Sequence, residues 1–288
     1  MRLSFLSLLL LGISIPAFAQ QRLCSGAQGS DRVELPSGYI AQVSGAIDQP
    51  HAGQCHATIT SSDGKVQYEL FGPEIAISPV SGTDVNGDGK PDAVIESHPL
   101  PRQCCWNYYI VTPGETPAVQ RQLTTSVPLT FEDRLGDGKV EIWTRDFAFD
   151  NVEGFPRSET PQPMIFFRLR GKTLYDVSPL FWTEYEREIN EARSGISNAD
   201  VDELTKIEND NAKPTQEGDP KIAHLLSVRA LILTVALDNL YGGHGADCWK
   251  TISEMWPTLD RQRIRQLILQ RRMHGILGEI NKTQPAAN

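Results

Sequence analysis

The stretch Asp84-Val-Asn-Gly-Asp-Gly-Lys-Pro-Asp-Ala-Val-Ile95 runs an acidic, glycine-bearing turn straight into a short apolar segment. Asp84, Asn86 and Asp88 are spaced by two, the Lys90 carbonyl follows, then Asp92, so oxygen donors stand at loop positions 1, 3, 5, 7 and 9. Calcium takes six to eight oxygens in a tight loop, and this order of donors suits it. Gly87 and Gly89 supply the backbone freedom for the turn. A helix–loop–helix hand would need a bidentate Glu at position 12, which is Ile95 here, and the flanks read as strand. The stretch therefore predicts a calcium loop between β-strands, with Asp84, Asn86, Asp88, Lys90 and Asp92 as ligands.

A second copy lies 49 residues on. Asp133-Arg-Leu-Gly-Asp-Gly-Lys-Val-Glu-Ile-Trp-Thr144 keeps Asp133, Asp137, the Lys139 carbonyl and Glu141, but has Leu135 where a ligand belongs. That offset is within the period of propeller blades and β arrays. The first copy resembles the FG-GAP or VCBS repeat of integrin-α-like propellers and of many exported bacterial proteins. Phe71-Gly72 stands in the place of that motif's FG, Asp84 to Ile95 matches its core, and Ser97-His98-Pro99 keeps only the proline of its Gly-Ala-Pro. The resemblance implies structural calcium at the turn entering a blade, held by the five residues named above. Seven units of this period need roughly 340 residues, and only about 150 are β-rich, so a partial propeller-like stack or a sandwich is expected.

Around the loop, residues 33–180 read as strands and turns. His56–Thr60 and Lys65–Leu70 flank Ser61-Ser-Asp-Gly64, a hairpin signal. Further strands are expected at Ala93–Glu96, Tyr108–Thr112, Val119–Thr124, Val140–Thr144 and Met164–Leu169. The second half changes period. Helices are expected over Pro179–Arg193, from Asn198, over Lys221–Tyr241 ended by Gly242-Gly243, over Thr251–Met255 and over Asp260–Ile280. The last of these places Leu269, Met273, Ile276, Leu277 and Ile280 on one face. The fold class is α+β: residues 20–180 form an all-β domain and residues 181–288 an α-helical one.

The N-terminus sets the compartment. Met1-Arg2 is a positive n-region, Leu3–Ile15 an apolar run, and Ala17-Phe-Ala19 a cleavage site, so residues 1–19 read as a signal peptide and the protein as periplasmic or secreted. No later segment reads as a transmembrane helix; the best, Ala230–Leu237, is too short. Removing 1–19 leaves 269 residues with formal charge −10, a balance that disfavours nucleic acid. All five cysteines are in the mature part, and export permits disulfides. An odd number leaves at least one thiol free or paired between chains. Cys24 is expected to bridge Cys55, and Cys248 to bridge Cys104 or Cys105. The vicinal pair Cys104-Cys105 is read as one bridging cysteine and one buried one.

Other candidates carry less. His244, Asp247 and Cys248 lie close together in a glycine-rich stretch read as an interhelix loop. His51 and His56 could offer two metal nitrogens but lack a third ligand, and read as an exposed pair. Arg261, Arg263, Arg265, Arg271 and Arg272 make the last helix basic, as a solvated face or one docked on the acidic 200–219 stretch. No convergent catalytic set emerges. The expected function is a non-enzymatic exported protein that binds a protein or an envelope polymer, with structural Ca2+. The alternative is a cell-envelope hydrolase using Cys/His chemistry.

Overall fold

The computed structural model describes residues 23–99, 105–114, 118–155, 158–209 and 220–283. Residues 1–19, expected to be a signal peptide, Cys104 and residues 210–219 of the acidic stretch lie outside these residues.

Three antiparallel sheets come first, each a meander of four consecutive strands. β2 (Asp31–Glu34), β3 (Ile40–Gly45), β4 (Cys55–Thr60) and β5 (Val66–Gly72) form one. β6 (Glu74–Ile77), β7 (Ala93–His98), β8 (Trp106–Thr112) and β9 (Ala118–Thr125) form the next, with β1 (Leu23–Ser25) added outside β6. β10 (Thr130–Glu132), β11 (Glu141–Arg145), β12 (Met164–Arg170) and β13 (Thr173–Asp176) form the third. None closes into a barrel. The expected hairpin at 61–64 joins β4 to β5, and each of the five other expected strands is present.

Alternation explains how the sheets stack. In β4, Cys55, Ala57 and Ile59 are buried while His56, Thr58 and Thr60 are only half-buried. Successive side chains point to opposite faces, so one face meets the core. β7 is buried throughout from Ala93 to Ser97, because its sheet is covered on both faces. Ala93 and Ile95 join Ala41, Val43, Ala57 and Ile59 of the first sheet, whereas Val94 joins Tyr108, Ile110 and Leu123 in a core shared with the third sheet. A strand buried on both faces reads as a continuous apolar run rather than an alternating one. The Cys24–Cys55 bridge forms as expected and ties β1 to β4.

The third sheet continues the stack into the helices. Phe167 of β12 shares a cavity wall with Leu123 of β9, while its neighbour Phe166 stacks on Phe181 at 4.2 Å. Tyr185 meets Phe166 edge-on and donates its hydroxyl to the Met164 carbonyl at 2.7 Å. A turn at Ser178–Phe181 leads into α1 (Trp182–Ser194), followed by α2 (Asn198–Asn209), α3 (Pro220–Tyr241), α4 (Gly245–Met255), α5 (Arg261–Arg271) and α6 (Ile276–Thr283). The architecture is thus α+β, with strands over 23–176 and helices over 178–283. One apolar core nevertheless runs from the second and third sheets through the helices. Among the described residues α3 is the one helix long and apolar enough to cross a membrane, where the sequence suggested no such segment. It packs on α1 and α4, burying Leu225, Val228, Ile232, Leu233, Val235 and Leu237.

Three expectations need correction. α4 begins at Gly245, so Asp247 and Cys248 lie in a helix, not in a loop. The helix expected over Asp260–Ile280 is two helices. The buried carboxylate of Asp146 accepts the amides of Ile276 and Leu277 at 3.1 and 3.3 Å and so anchors a new helix start. Gly275 lets the chain come that close, since a Cβ there would fall 1.9 Å from Asp146 Oδ1. The inward face is accordingly Ile264, Ile268, Ile276 and Ile280, whereas Leu269 and Met273 are 37% and 44% exposed. Finally, Cys248 does not bridge to the sheets. It is a free thiol on the inward side of α4 beside Thr251 and Ile252, and Cys105, which is disulfide-bonded, precedes β8.

Candidate metal centre

The first Asp/Gly loop connects β6 to β7. Its frame is a set of side chains accepting from the loop's own amides. Asp84 Oδ1 and Oδ2 accept the N–H groups of Asp88 and Gly89 at 3.0 and 2.8 Å. Asn86 Oδ1 accepts the Asp88 amide at 2.9 Å, and Asp88 Oδ1 the Lys90 amide at 2.9 Å. Short Asx side chains favour such local bonds, which curl the backbone around a common centre. Gly87 and Gly89 take φ values of 71° and 84°, the left-handed region that glycine enters without steric cost.

Asp92 closes the frame from beneath. It is fully buried, and its Oδ2 accepts the Val85 and Asn86 amides at 2.9 and 3.0 Å. Oδ1 accepts the Asn86 amide nitrogen at 3.1 Å and the Thr112 hydroxyl. Burial pushes the carboxyl up to about 6, against the pull of Thr112 and the two amides, and the nearby Asp88 charge adds to the rise. Asp84 is half-buried, and Asp88 and Lys90 are exposed. Among the described residues no Lys or Arg pairs with Asp84, Asp88 or Asp92.

The second loop, between β10 and β11, repeats five bonds of this frame and lacks those of the Asn86 side chain, because Leu135 stands at that position. Asp133 Oδ1 and Oδ2 accept the Asp137 and Gly138 amides at 3.1 and 3.0 Å, and Asp137 Oδ1 accepts the Lys139 amide at 3.1 Å. Glu141 Oε2 accepts the Arg134 and Leu135 amides at 2.8 and 3.3 Å, the role of Asp92. Gly136 and Gly138 again take positive φ. The difference in charge comes from a neighbouring strand. Arg168, projecting from β12, donates from Nε to Glu141 Oε1 and from one terminal nitrogen to both Asp137 oxygens at 3.0 Å. Where the first loop has a neutral Thr112 hydroxyl, the second has a guanidinium. Sequence reading missed Arg168, although a lone cation inside the apolar run Met164-Ile-Phe-Phe-Arg-Leu169 was a signal for it.

The two loops flank one cavity of about 480 Å³, with Asp84 and Gly87 on one side and Gly138 and Arg168 on the other. The turn after β12 braces the first loop, Gly171 donating its amide to the Asn86 carbonyl at 2.9 Å. Among the described residues no three His, Cys, Asp or Glu side chains converge as a metal-binding group. By chemistry the first loop offers carboxylate, amide and main-chain oxygens and neither nitrogen nor sulfur ligands, which fits a hard cation such as Ca2+.

The remaining candidates resolve differently. His51 and His56 stack on opposite contacts of one ring, Phe71, at 3.7 and 4.1 Å, and each faces a carboxylate, Asp48 or Glu69. The His244 ring stacks on Trp182 at 3.7 Å, with Nδ1 3.6 Å from Asp247. Burial drives the Cys248 thiol up to about 12, with Arg265 and Arg272 pulling against it, so at neutral pH it is protonated and not a nucleophile. Arg263 of α5 pairs with Asp260 and Glu153, and the Arg265 guanidinium lies over the Trp249 ring. Compared with family models, with curated proteins and with solved structures, the chain shows no match.

Proposed function

We propose that this is an exported binding protein whose stacked sheets are braced by calcium at the first Asp/Gly loop. One observation carries the reading: two loops share a hydrogen-bonded frame, and among the described residues only the second has a cationic side chain among its carboxylates. In the second loop Arg168 offsets the charges of Asp137 and Glu141. In the first, Asp84, Asp88 and Asp92 repel one another unless a cation from solution takes that part. Asp84, Asn86, Asp88, the Lys90 carbonyl and Asp92 would hold it. The Cys24–Cys55 bridge is in keeping with an oxidising, extracytoplasmic setting. The partner would be a protein or an envelope polymer.

No Glu closes the shell, so water completes it and the affinity should be weak, on the order of 10⁻⁴ M. At about 1 mM calcium such a site adds roughly 1.4 kcal/mol to folding stability. For a chain of this size that is a rise of about 3–6 °C in Tm. Thermal melts in calcium and in EDTA should differ by that amount. Asp88→Ala should abolish the difference and Asp137→Ala should leave it. Superimposable melts of the intact protein with and without calcium would refute the site.

A further inference from the structure

A second, unrelated site opens where α3 faces α1 and the third sheet. A cavity of about 470 Å³ runs along one face of α3, past Ser227, Ala230, Leu231 and Thr234, and ends at Asp238. These positions recur at the three- and four-residue spacing that puts side chains on one helix face. Asp238 is fully buried, and neither of its carboxyl oxygens has a hydrogen-bond partner. A buried carboxyl without a partner is destabilising, because it has lost water and gained nothing in exchange. Its neighbours do not relieve it. Arg145 of β11 is committed elsewhere, donating to both oxygens of Glu188 on α1 at 3.2 and 2.6 Å and to the Gln162 carbonyl at 2.9 Å. Tyr185, also on α1, gives its hydroxyl hydrogen to Met164.

The rest of the wall says what would complete Asp238. Among the described residues its acidic groups, Asp238, Glu188 and Glu159, outnumber the one base, Arg145. Glu159 accepts the Ser227 hydroxyl at 2.6 Å at the far end of the cavity. Eleven helical positions separate Ser227 from Asp238, about 16 Å of rise, so a carboxyl group stands at each end. Between them Ala230, Leu231 and Pro161 offer an apolar wall. An elongated slot with acidic ends and an apolar middle is complementary to a methylene chain carrying a charged nitrogen.

We infer that this cavity binds a primary alkylammonium group, with its nitrogen donating to the unpartnered Asp238 and its methylene stem along Leu231 and Ala230. The inference is independent of the calcium loop. Burial, reinforced by Glu188 and opposed by Arg145, pushes the Asp238 carboxyl up to about 8. The free cavity therefore holds a neutral acid at pH 7, and an incoming ammonium would displace its proton to solvent. The ammonium can come from a free amine or from a lysine side chain of a peptide.

Isothermal titration of the full chain at pH 8.5 decides it, using 1,5-diaminopentane, N-acetyl-lysine amide and, as an uncharged control, 1,5-pentanediol. At least one amine should saturate at one per chain and the diol should not. Saturation by the diamine alone marks a free amine as the source, and by the lysine amide alone a peptide. Asp238→Asn should weaken binding at least tenfold, and its thermal melt without ligand verifies that it is folded. Thr234→Leu, which fills the slot without touching the carboxyl, should abolish binding and decides the matter if Asp238→Asn does not fold. Failure of both amines to saturate, or unchanged affinity in either folded variant, would overturn the inference.

Discussion

Replacing Arg168 by Met tests whether the guanidinium is what makes the second Asp/Gly loop self-sufficient. Met keeps the unbranched stem on β12 and removes the charge. Glu141 is 0% exposed and Arg168 16%, so the variant leaves a buried carboxylate facing only two backbone amides. Breaking a buried pair by deleting one partner costs about 3–5 kcal/mol. Because Arg168 reaches the rim of the cavity, the lower end, about 3 kcal/mol, applies here. That corresponds to a fall of roughly 6–12 °C in Tm. Removing the equivalent donor of the first loop, Thr112→Val, deletes a neutral hydroxyl bonded to Asp92 and should cost only about 1–2 kcal/mol. Differential scanning calorimetry in calcium and in EDTA separates the effects. Calcium should not rescue Arg168→Met, since Leu135 occupies the amide position, but should partly rescue Arg168→Met combined with Leu135→Asn. A melting point for Arg168→Met within about a degree of the parent would show that Arg168 contributes nothing there, and the contrast between the loops would lose its physical basis.

Two further outcomes follow from buried carboxyls. Asp238 titrates near 8 in the folded chain and near its ordinary value, about 3.9, in the unfolded one. Between these values the unfolded chain has released a proton that the folded chain retains, so stability falls as pH rises, by up to about 1.4 kcal/mol per pH unit. Urea melts of the parent and Asp238→Asn at pH 5 and pH 9 should show the variant gaining relative stability at the higher pH; a constant difference would contradict the burial argument. Gly275→Ala should cost about 2–4 kcal/mol by pushing aside Asp146, which also accepts the Tyr241 hydroxyl at 2.9 Å. Gly245→Ala, whose added methyl would meet only Leu240 at 3.8 Å, should be neutral or stabilising, and equal effects of the two would refute the close-approach explanation.

What was legible in the sequence was local. The turn at Ser61–Gly64 announces its hairpin because glycine at φ 82° and the flanking alternation are both encoded within a dozen residues. The apolar runs of β7 and β12 are readable as strands, though not the reason for their continuity, which is the second sheet or the helix layer behind them. Asp31–Glu34 was harder, since three of its four residues are charged. The break between α5 and α6 was not legible at all. Residues 260–280 keep helical periodicity throughout, and what ends one helix and starts the next is a carboxylate 130 positions away. Cys248 misled for a related reason: an odd count invites pairing, but a thiol on the buried side of a helix behaves as a small apolar group.

The candidate sites divide along the same line. Both Asp/Gly loops could be found from spacing, because every bond in their frames joins residues within seven positions. Leu135 already set the second apart in the sequence, but the differing partners could not be found, since Thr112 and Arg168 arrive from neighbouring strands at separations of 20 and 27 residues. Asp238 shows the limit most plainly. In Ala230-Leu-Ile-Leu-Thr-Val-Ala-Leu-Asp238 a single acid interrupts an apolar run, and sequence alone makes it either half of an ion pair or a solvent-facing residue. It is neither, because the arginine that could have paired with it is taken by Glu188 from another helix. The two loops and the α3 slot then pose one physical question, namely which cation balances a group of carboxylates. The chain supplies its own at Glu141, Asp238 keeps its proton near neutral pH until a cation displaces it, and at Asp84–Asp92 the balance would have to come from outside the chain.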